Sequence, residues 1–450
     1  MTRDLFGSPV DLSSAEAVAA WNAMCRAFLA HGAATPVHLG KVLEAAPDFA
    51  LGHAVRGLFC MLLGRREMTE AAAAAHRTAL ATEPPDARSR AMISALGAML
   101  ARDPARAAAG LEELLRSDPV DTLAMKLGHG IRFLTGDAAG MRLSVERVLP
   151  AHGADHPGRG YALGCHAFAL EETGAHDLAE AAGRAAIDLA GDDAWGLHAI
   201  AHVHDMTGRS AEGIALIDRH RAVWEGANNF RYHVWWHKAL LHLDRGETAT
   251  ALELYDRRIR AERTDDYRDI ANATSLLMRL ELDGVSAGTR WEELADLAEA
   301  RSGDGCLVFA DLHYMLALIG GERGAAQDRL HAGLARRARQ ADPMAAICAD
   351  PGLAAAEGLA AFGAGQYAQA AACLESALPH LPEIGGSHAQ RDVFERIAVD
   401  AALRAGQAER AASVLARRRA RRGGYGDGFA LSRQDRLERL RQSVRSAAMR

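Results

Sequence analysis

The segment GQYAQA at 365–370, followed by LESALP at 374–379, decides the fold of this chain. A helix that stops and reverses direction ends best on a residue that tolerates positive φ, and glycine, here Gly365, is such a residue. The alanines around it let two helices pack closely, and Pro379 ends the second helix because proline cannot continue one. The segment therefore predicts a pair of helices joined by a tight turn.

The same turn signature recurs along the chain. Five more apolar helix ends are followed by a glycine and a second amphipathic stretch with small residues. The first four of the glycines are spaced by 38, 34 and 38 residues, and the last two by 41. Repeats of the tetratricopeptide type run at about 34 residues, and irregular copies run longer. The glycines concerned are Gly136, Gly174, Gly208, Gly246, Gly365 and Gly406.

These repeats predict an all-α protein, a right-handed α-solenoid of tetratricopeptide-like helix pairs that is superhelical with a concave groove. At about 34–40 residues for each pair, the chain holds roughly ten to twelve pairs. We expect the solenoid to occupy residues 1–415, and a basic, polar C-terminal helix or cap to occupy 416–450. The arginines among residues 417–422 are expected to be solvated. Asp283–Thr289 predicts a loop between repeats, and Pro84–Pro85 closes another repeat.

Composition narrows the class of protein further. The net charge of −6 and the pI near 6.4 provide no electrostatic case for nucleic acid or an anionic membrane. The six cysteines form no C-x-x-C pair, which excludes a zinc ribbon and a disulfide scaffold. We see no signal peptide and no apolar run of the roughly 18–20 residues that span a bilayer. The sequence therefore predicts a cytoplasmic protein, and its Ala/Arg/Gly bias suggests a bacterial origin.

Several longer blocks are similar to one known family. They are HAIAHVHDMTGR at 198–209, NFRYHVWWH at 229–237, DIANATSLLMRL at 269–280, DLHYMLAL at 311–318 and GGSHAQRDVF at 385–394. Together they resemble the tetratricopeptide repeat protein 38 family, over nearly the whole chain from Asp4 to about Gly406. The resemblance implies the helical repeat fold, and it implies no established activity.

A histidine cluster is the strongest candidate for chemistry. His198, His202 and Asp205 are spaced i, i+4, i+7 on the helix that ends before Gly208, so they project from one side. In such repeats the first helix of each pair lines the concave face. The first helix of the next repeat carries His233. These four residues, His198, His202, Asp205 and His233, are our candidate catalytic residues.

Three interpretations of this cluster stay open. Histidine pairs at i, i+4 hold Zn²⁺ or Fe²⁺ on helices, and a carboxylate such as Asp205 or Asp269 would complete the shell. Histidine also serves as a general acid or base near pH 7 in a site without metal. The structural interpretation is that the rings fill helix interfaces. The metal-ligand candidates are His198, His202, His233 and His237.

Residues of later repeats extend the candidate ligand site. Ser387 is expected to cap a helix whose N-terminal N–H groups favour an anion. Arg391 and Asp392 are expected to form a local ion pair, and the tryptophans are expected to pack between helices rather than form a ligand wall. The candidate ligand-binding residues are Trp236, His237, Asp269, Asn272, His313, His388 and Arg391.

The sequence therefore predicts a protein that binds a small polar ligand in its concave groove through a His/Asp/Trp cluster. It leaves open whether the protein is an enzyme, because no P-loop, dinucleotide fingerprint or nucleophile elbow is present. The alternative is a non-enzymatic scaffold that binds an extended peptide or a helix of a partner protein, which is the commoner use of the fold. No nucleic acid or membrane partner is expected, and a homo-oligomer is compatible with the pattern.

Overall fold

The fold was established with a computed structural model that describes residues 2–82 and 86–448. Helices make up 75% of the protein, and adjacent helices pack tightly against each other. Within the described ranges, β structure is confined to a two-residue hairpin, Thr2–Arg3 (β1) with Pro9–Val10 (β2), and a single bridge between Gly32 and Ala227. The all-α prediction is confirmed. Pro84–Pro85, predicted to close a repeat, lies outside the described residues.

The first half of the chain forms a regular succession of helices. In chain order they are α1 (Ala15–Leu29), α2 (Thr35–Ala45), α3 (Ala50–Met61), α4 (Arg66–Leu80), α5 (Ala87–Leu100), α6 (Pro104–Ser117), α7 (Thr122–Leu134), α8 (Ala138–Val148), α9 (Arg159–Glu172), α10 (His176–Leu189), α11 (Ala194–Met206), α12 (Ser210–Arg219) and α13 (Arg221–Trp224).

The second half continues the succession, with short 3₁₀ or π segments at Leu149–Ala151, Tyr255–Ile259, Cys348–Gly352 and Leu381–Ile384. Its helices are α14 (Phe230–Asp244), α15 (Thr248–Leu254), α16 (Tyr267–Leu282), α17 (Arg290–Arg301), α18 (Val308–Gly320), α19 (Gly324–Arg337), α20 (Pro343–Ile347), α21 (Leu353–Gly363), α22 (Tyr367–Ala377), α23 (His388–Arg404), α24 (Ala408–Arg421) and α25 (Gly428–Ala448).

The chain divides into two compact units. The first contains Met1–Val203 and Ile217–Val234, and the second contains His204–Leu216 and Trp235–Arg450. The boundary predicted at residues 415/416 falls inside α24, so the arginine-rich segment begins within a helix of the repeat series.

The turn glycines show why the helices form pairs. All six glycines of the sequence signature have positive φ, from 65° at Gly136 to 81° at Gly174, and each lies between two successive helices. Because residues with a side chain rarely adopt a positive φ, glycine is well suited to positions where the chain reverses within a few residues. The predicted loop Asp283–Thr289 is also present, but it connects α16 to α17. In the alternation of helices, that position lies within a pair rather than between two repeats.

The arginine-rich segment near the C-terminus is not a solvated cap. Arg418 is 1% exposed, and its guanidinium donates to the carboxylates of Asp392 and Asp427. Arg422 is also buried and donates to the Asp205 carboxylate at 3.3 Å. The expectation of solvation is wrong for these two residues, because Asp392 and Asp427 compensate the charge of Arg418, and Asp205 compensates that of Arg422. Arg417, by contrast, is half exposed.

The expectation that no apolar run reaches bilayer length is also wrong. Pro343–Gly363 spans 21 residues with a mean hydropathy of 1.2, which is long and apolar enough by composition. Half of its most apolar window is buried within the protein, and the backbone leaves helical geometry at Asp350, with φ −145° and ψ 119°. These features are typical of core helices that are interrupted by a turn.

We predict that Gly174→Ala lowers the free energy of unfolding by about 1 kcal/mol, because an alanine is strained at positive φ. A new Cβ would meet no described atom within 4 Å there, so strain alone is tested. Gly40→Ala is the matched control, since Gly40 lies in α2 with equally open surroundings. In the control, the free energy of unfolding should rise by about 0.5–1 kcal/mol, because alanine is a better helix former than glycine. Urea midpoints measure both, and equal shifts would contradict the turn geometry.

We predict that Arg418→Met destabilises the protein by about 3–5 kcal/mol, because it leaves two buried carboxylates without their main partner. Burial alone would raise the pKa of Asp392, but Arg418 and Arg396 hold it well below its usual range. The stabilisation is therefore complete above about pH 4 and is lost below it. Arg417→Met, the exposed control, should change stability by less than about 0.5 kcal/mol. Denaturation at pH 7 and pH 3 compares the two variants; the difference between them should shrink at pH 3.

Candidate functional site

Three imidazoles converge in the first unit. His198 and His202 lie one turn apart on α11, and His233 lies in the first turn of α14. The Nε2 atom of His198 is 2.8 Å from Nε2 of His202 and 2.9 Å from Nε2 of His233. The nitrogens of the three rings also belong to a group of metal-compatible side chains whose ligand atoms all lie within 4.8 Å. We call His198, His202 and His233 the triad.

Hydrogen bonding accounts poorly for this geometry. A neutral imidazole has one N–H donor and one lone-pair acceptor, on different nitrogens. The Nε2 atom of His198 therefore has either one proton or one lone pair, yet it faces two other Nε2 atoms at hydrogen-bond distance. One nitrogen cannot serve both partners well. A cation placed between the three nitrogens would bind all three lone pairs at once.

A carboxylate stands behind one ring of the triad. Glu171 lies at the end of α9, and its Oε2 atom is 3.4 Å from Nδ1 of His202. Both side chains are fully buried. A carboxylate on the Nδ1 side favours the tautomer in which Nδ1 carries the proton and Nε2 keeps its lone pair. Glu171 therefore orients His202 with Nε2 available as a ligand atom.

Aromatic rings enclose the triad. Phe168 stacks on His198 with ring centres 5.5 Å apart, and Trp195 and Phe230 lie 5.0 and 5.2 Å from the same imidazole. His198 is 1% exposed, whereas His233 is only partly buried. The site is thus apolar on its inner sides and accessible from the side of His233, and low polarity strengthens electrostatic contacts within it.

The close approach of α9 and α11 positions Glu171 and Phe168 against the triad. A Cβ on Gly164 would lie 2.0 Å from the Asp193 carboxylate, and a Cβ on Gly196 would lie 2.5 Å from it and 3.3 Å from the Gly164 Cα. Only glycine fits at these two positions without displacing the helices or the carboxylate. The Asp193 carboxylate in turn caps α11 by accepting from the Gly196 N–H at 3.1 Å.

Two residues of the predicted cluster belong to the second unit. Asp205 lies one turn beyond His202 on α11, and Arg422 donates to its carboxylate at 3.3 Å and also to its backbone oxygen. The carboxylate is therefore engaged in an ion pair. His237 lies one turn beyond His233 on α14, and its ring contacts that of Trp236. The roles predicted for both residues stay predictions.

The remaining predicted ligand residues also lie in the second unit. Asp269 and Asn272 are buried one turn apart on α16. Burial and the neighbouring Asp266 raise the pKa of Asp269 to about 6, and Thr264 donates to its carboxylate. The Asn272 side-chain oxygen accepts from Gln390 at 3.3 Å. Trp236 is fully buried under the Arg279 guanidinium, 5.6 Å from its ring centre, so it packs inside the unit as expected.

The helix α23 begins with the predicted cap. The Ser387 hydroxyl accepts from the Gln390 N–H, and the Gln390 side chain accepts from the Ser387 N–H, as in a capping box. His388 is the first residue of this helix. Arg391 donates to the Gly385 oxygen at 3.2 Å. The predicted Arg391–Asp392 ion pair is wrong, because the Asp392 carboxylate pairs with Arg396 and Arg418 instead.

Sequence reasoning missed Glu171. The carboxylates considered were Asp269 and, on the helix of His198 and His202, Asp205, which lies three residues before Gly208. Glu171 has the equivalent position one repeat earlier, three residues before Gly174. Comparison of equivalent positions in consecutive repeats is the signal that could have identified it.

Comparison with known protein families found no family model that matches this chain.

The buried ring of His313 should make the free energy of unfolding depend on pH. It is fully buried on α18, its Nδ1 donates to the Phe309 oxygen at 2.7 Å, and burial lowers its pKa to about 4. The folded state therefore keeps this ring neutral, while the unfolded chain takes up a proton below about pH 6.5. Stability should fall by on the order of 2–3 kcal/mol between pH 6.5 and pH 4 on account of this residue.

We predict that His313→Leu removes this part of the acid destabilisation, so the unfolding free energy falls less steeply between pH 6.5 and pH 4. His380→Leu is the control, because His380 is exposed and the hydrogen bond that its ring donates to Glu383 raises its pKa. Its removal should leave the slope unchanged or make it slightly steeper. Urea denaturation at three or more pH values measures the slopes, and identical slopes for the parent and His313→Leu would contradict the prediction.

Proposed function

We propose that this protein binds a divalent transition-metal ion at the triad and that the metal holds a small polar ligand. The observation that carries the proposal is the convergence of three imidazole nitrogens at 2.8 and 2.9 Å. Three imidazole ligands leave one position of a tetrahedral site open, which is the arrangement of catalytic rather than structural zinc sites. Zn²⁺ in such a position acts as a Lewis acid on a bound ligand.

The donor set favours Zn²⁺ over other common ions. Zn²⁺ binds imidazole nitrogens at about 2.0–2.1 Å, so two nitrogens of a tetrahedral site are about 3.3–3.4 Å apart. The two distances from Nε2 of His198, 2.8 and 2.9 Å, are about half an ångström shorter than that spacing, which small ring rotations would correct. Ca²⁺ and Mg²⁺ require oxygen ligands. Fe²⁺ sites commonly combine two histidines with a carboxylate, and Glu171 faces Nδ1 of His202 rather than the centre of the triad.

The surroundings support a functional rather than a purely structural ion. Glu171 is placed as the outer carboxylate that orients His202, a pairing that strengthens metal binding in known sites. The partly exposed His233 leaves a route for a ligand, while Phe168, Trp195 and Phe230 exclude water on the inner side.

Three further expectations belong to this proposal. We propose that the helix pairs continue as a right-handed superhelix with a concave groove and that the chain is related to the tetratricopeptide repeat protein 38 family. The six left-handed turn glycines support the repeat type. We propose that the ligand binds in that groove. A cytoplasmic location is supported by cysteines that are all free, as is usual in a reducing compartment.

The test is metal analysis of protein purified without a histidine tag, followed by calorimetric titration with Zn²⁺. We expect about one equivalent of tightly bound metal in the parent protein and none in His202→Ala and His233→Ala. Glu171→Gln should bind 10- to 100-fold more weakly, because it removes the outer carboxylate. His53→Ala is the control, since His53 lies on α3 and contacts only the Pro47 oxygen, and it should bind metal as the parent does.

Co²⁺ substitution provides an independent readout. A tetrahedral nitrogen site should give intense visible absorption that disappears in His202→Ala. If the parent binds no metal and the two variants only melt at lower temperature, the triad is structural and the proposal is wrong. If the parent binds no metal and instead binds extended peptides, the protein is a scaffold.

A further inference from the structure

The first unit also contains a buried lysine, which lies on α7. The chain contains three lysines, and Lys126 on α7 is 6% exposed. Its ammonium lies 4.7 Å from the centre of the Trp195 ring. No carboxylate of the described residues lies within 4.0 Å of it. A buried charge without a close counter-ion is costly, and proteins rarely retain one without a function.

The nearest acidic groups do not neutralise this lysine. Burial raises the pKa of the Cys165 thiol beside it to about 11, so the thiol stays neutral. Burial also raises the pKa of Asp193 to about 7, even though Lys126 acts in the opposite direction. Asp193 is therefore only partly ionised at neutral pH, so it compensates the charge of Lys126 incompletely.

Two more hydrogen-bond donors belong to this cluster, the ring of His129 and the indole N–H of Trp195 itself. His129 follows Lys126 by one turn on α7, and neither of its ring nitrogens has a hydrogen-bond partner in the described part of the chain. Its ring stands edge-on to Trp195, with centres 5.8 Å apart and planes at 87°. Burial is the main cause that holds the pKa of His129 well below its usual range, and the charges of Lys126 and Arg132 act in the same direction. The ring is therefore neutral and has one N–H. The Trp195 Nε1–H likewise lacks a partner among the described residues.

These groups share one chemistry. An ammonium, an indole N–H and an imidazole N–H all donate, and an unsatisfied buried donor lowers the stability of the folded state. A ligand with a negative charge and several acceptor oxygens would satisfy all of them. A cation is excluded because Lys126 would repel it. The ligand chemistry indicated is therefore an anionic group, either a carboxylate or a phosphate.

Lys126, His129 and Trp195, which we call the donor cluster, lie close to the triad and at comparable positions in their repeats. Trp195 lies one turn before His198 on α11, and their ring centres are 5.0 Å apart. Lys126 and His198 both lie ten residues before a turn glycine, Gly136 and Gly208, so they occupy equivalent repeat positions. The donor cluster and the triad therefore lie next to each other on one set of helix faces.

We infer that Lys126, His129 and Trp195 bind the anionic group, a carboxylate or a phosphate, of the small ligand. The assignment of its other end to the triad rests on the proposed function, whereas the anion site itself does not. The ligand is then a small anionic molecule with a second polar group that reaches the metal.

The test is anion binding to metal-free and Zn²⁺-treated protein, with acetate and inorganic phosphate as separate probes. Tryptophan fluorescence and calorimetry report binding, since Trp195 is part of the site. We expect one of the two anions to bind the parent, and its affinity to fall about 10- to 100-fold in Lys126→Met, which removes a charged donor. Trp195→Phe should weaken binding less, and Lys41→Met, at an exposed lysine of α2, should not.

Stability separates a binding role from a structural one. Lys126→Met should raise the melting temperature of the anion-free protein, because it removes an uncompensated buried charge. If the variant melts lower and binds both anions as the parent does, or if the parent binds neither anion, the inference is overturned. Lys126-dependent anion binding in metal-free protein would support it even if the triad takes no metal. Binding of acetate would identify the anionic group as a carboxylate, and binding of inorganic phosphate would identify it as a phosphate.

Discussion

Much of this structure depends on one constraint, the reversal of the chain at a left-handed glycine. Because a helix pair can turn only where φ is positive, the distance of a residue from its turn glycine determines which face it occupies. His198 and His202 lie ten and six residues before Gly208, and Lys126 lies ten residues before Gly136. Consecutive first helices therefore present side chains from equivalent positions, and the polar residues at those positions meet inside the first unit.

Both units contain buried charges that carboxylates compensate, as Asp4 and Asp121 compensate Arg88 in the first unit. In the second unit, Arg418 is buried between Asp392 and Asp427, so its charge is compensated by carboxylates and stabilises the fold. In the first unit, the triad places three nitrogens together and Lys126 has no close counter-ion. Compensated charges are typical of structural ion pairs, whereas titratable side chains that converge on one point are typical of ligand sites. The convergence of the triad and the burial of Lys126 are the reasons for placing the proposed function in the first unit.

The differences between expectation and structure have a common cause. The histidines were identified by their spacing on a helix, but the carboxylates considered with them were Asp205 and Asp269. Asp205 instead pairs with Arg422, more than 200 residues away, and Glu171 reaches His202 from the preceding pair. The arginine run was expected to be solvated because charge runs usually are, and the acids that bury Arg418 are invisible to a local pattern. The pairs of Asp205 with Arg422 and of Glu171 with His202 involve partners on different helices, which a pattern within one helix does not show.

By itself, the sequence determined the helical class, the positions of the turn glycines and the placement of His198 and His202 on one helix face. These features depend on residues within about one or two helical turns, where φ preferences and the 3.6-residue period act. Only the tertiary structure decided that His233 meets His198, that Glu171 orients His202, and that Lys126 lies over Trp195. The reason is that contacts between helices depend on how closely they pack, and close packing at Gly164 and Gly196 requires both helices to be in place.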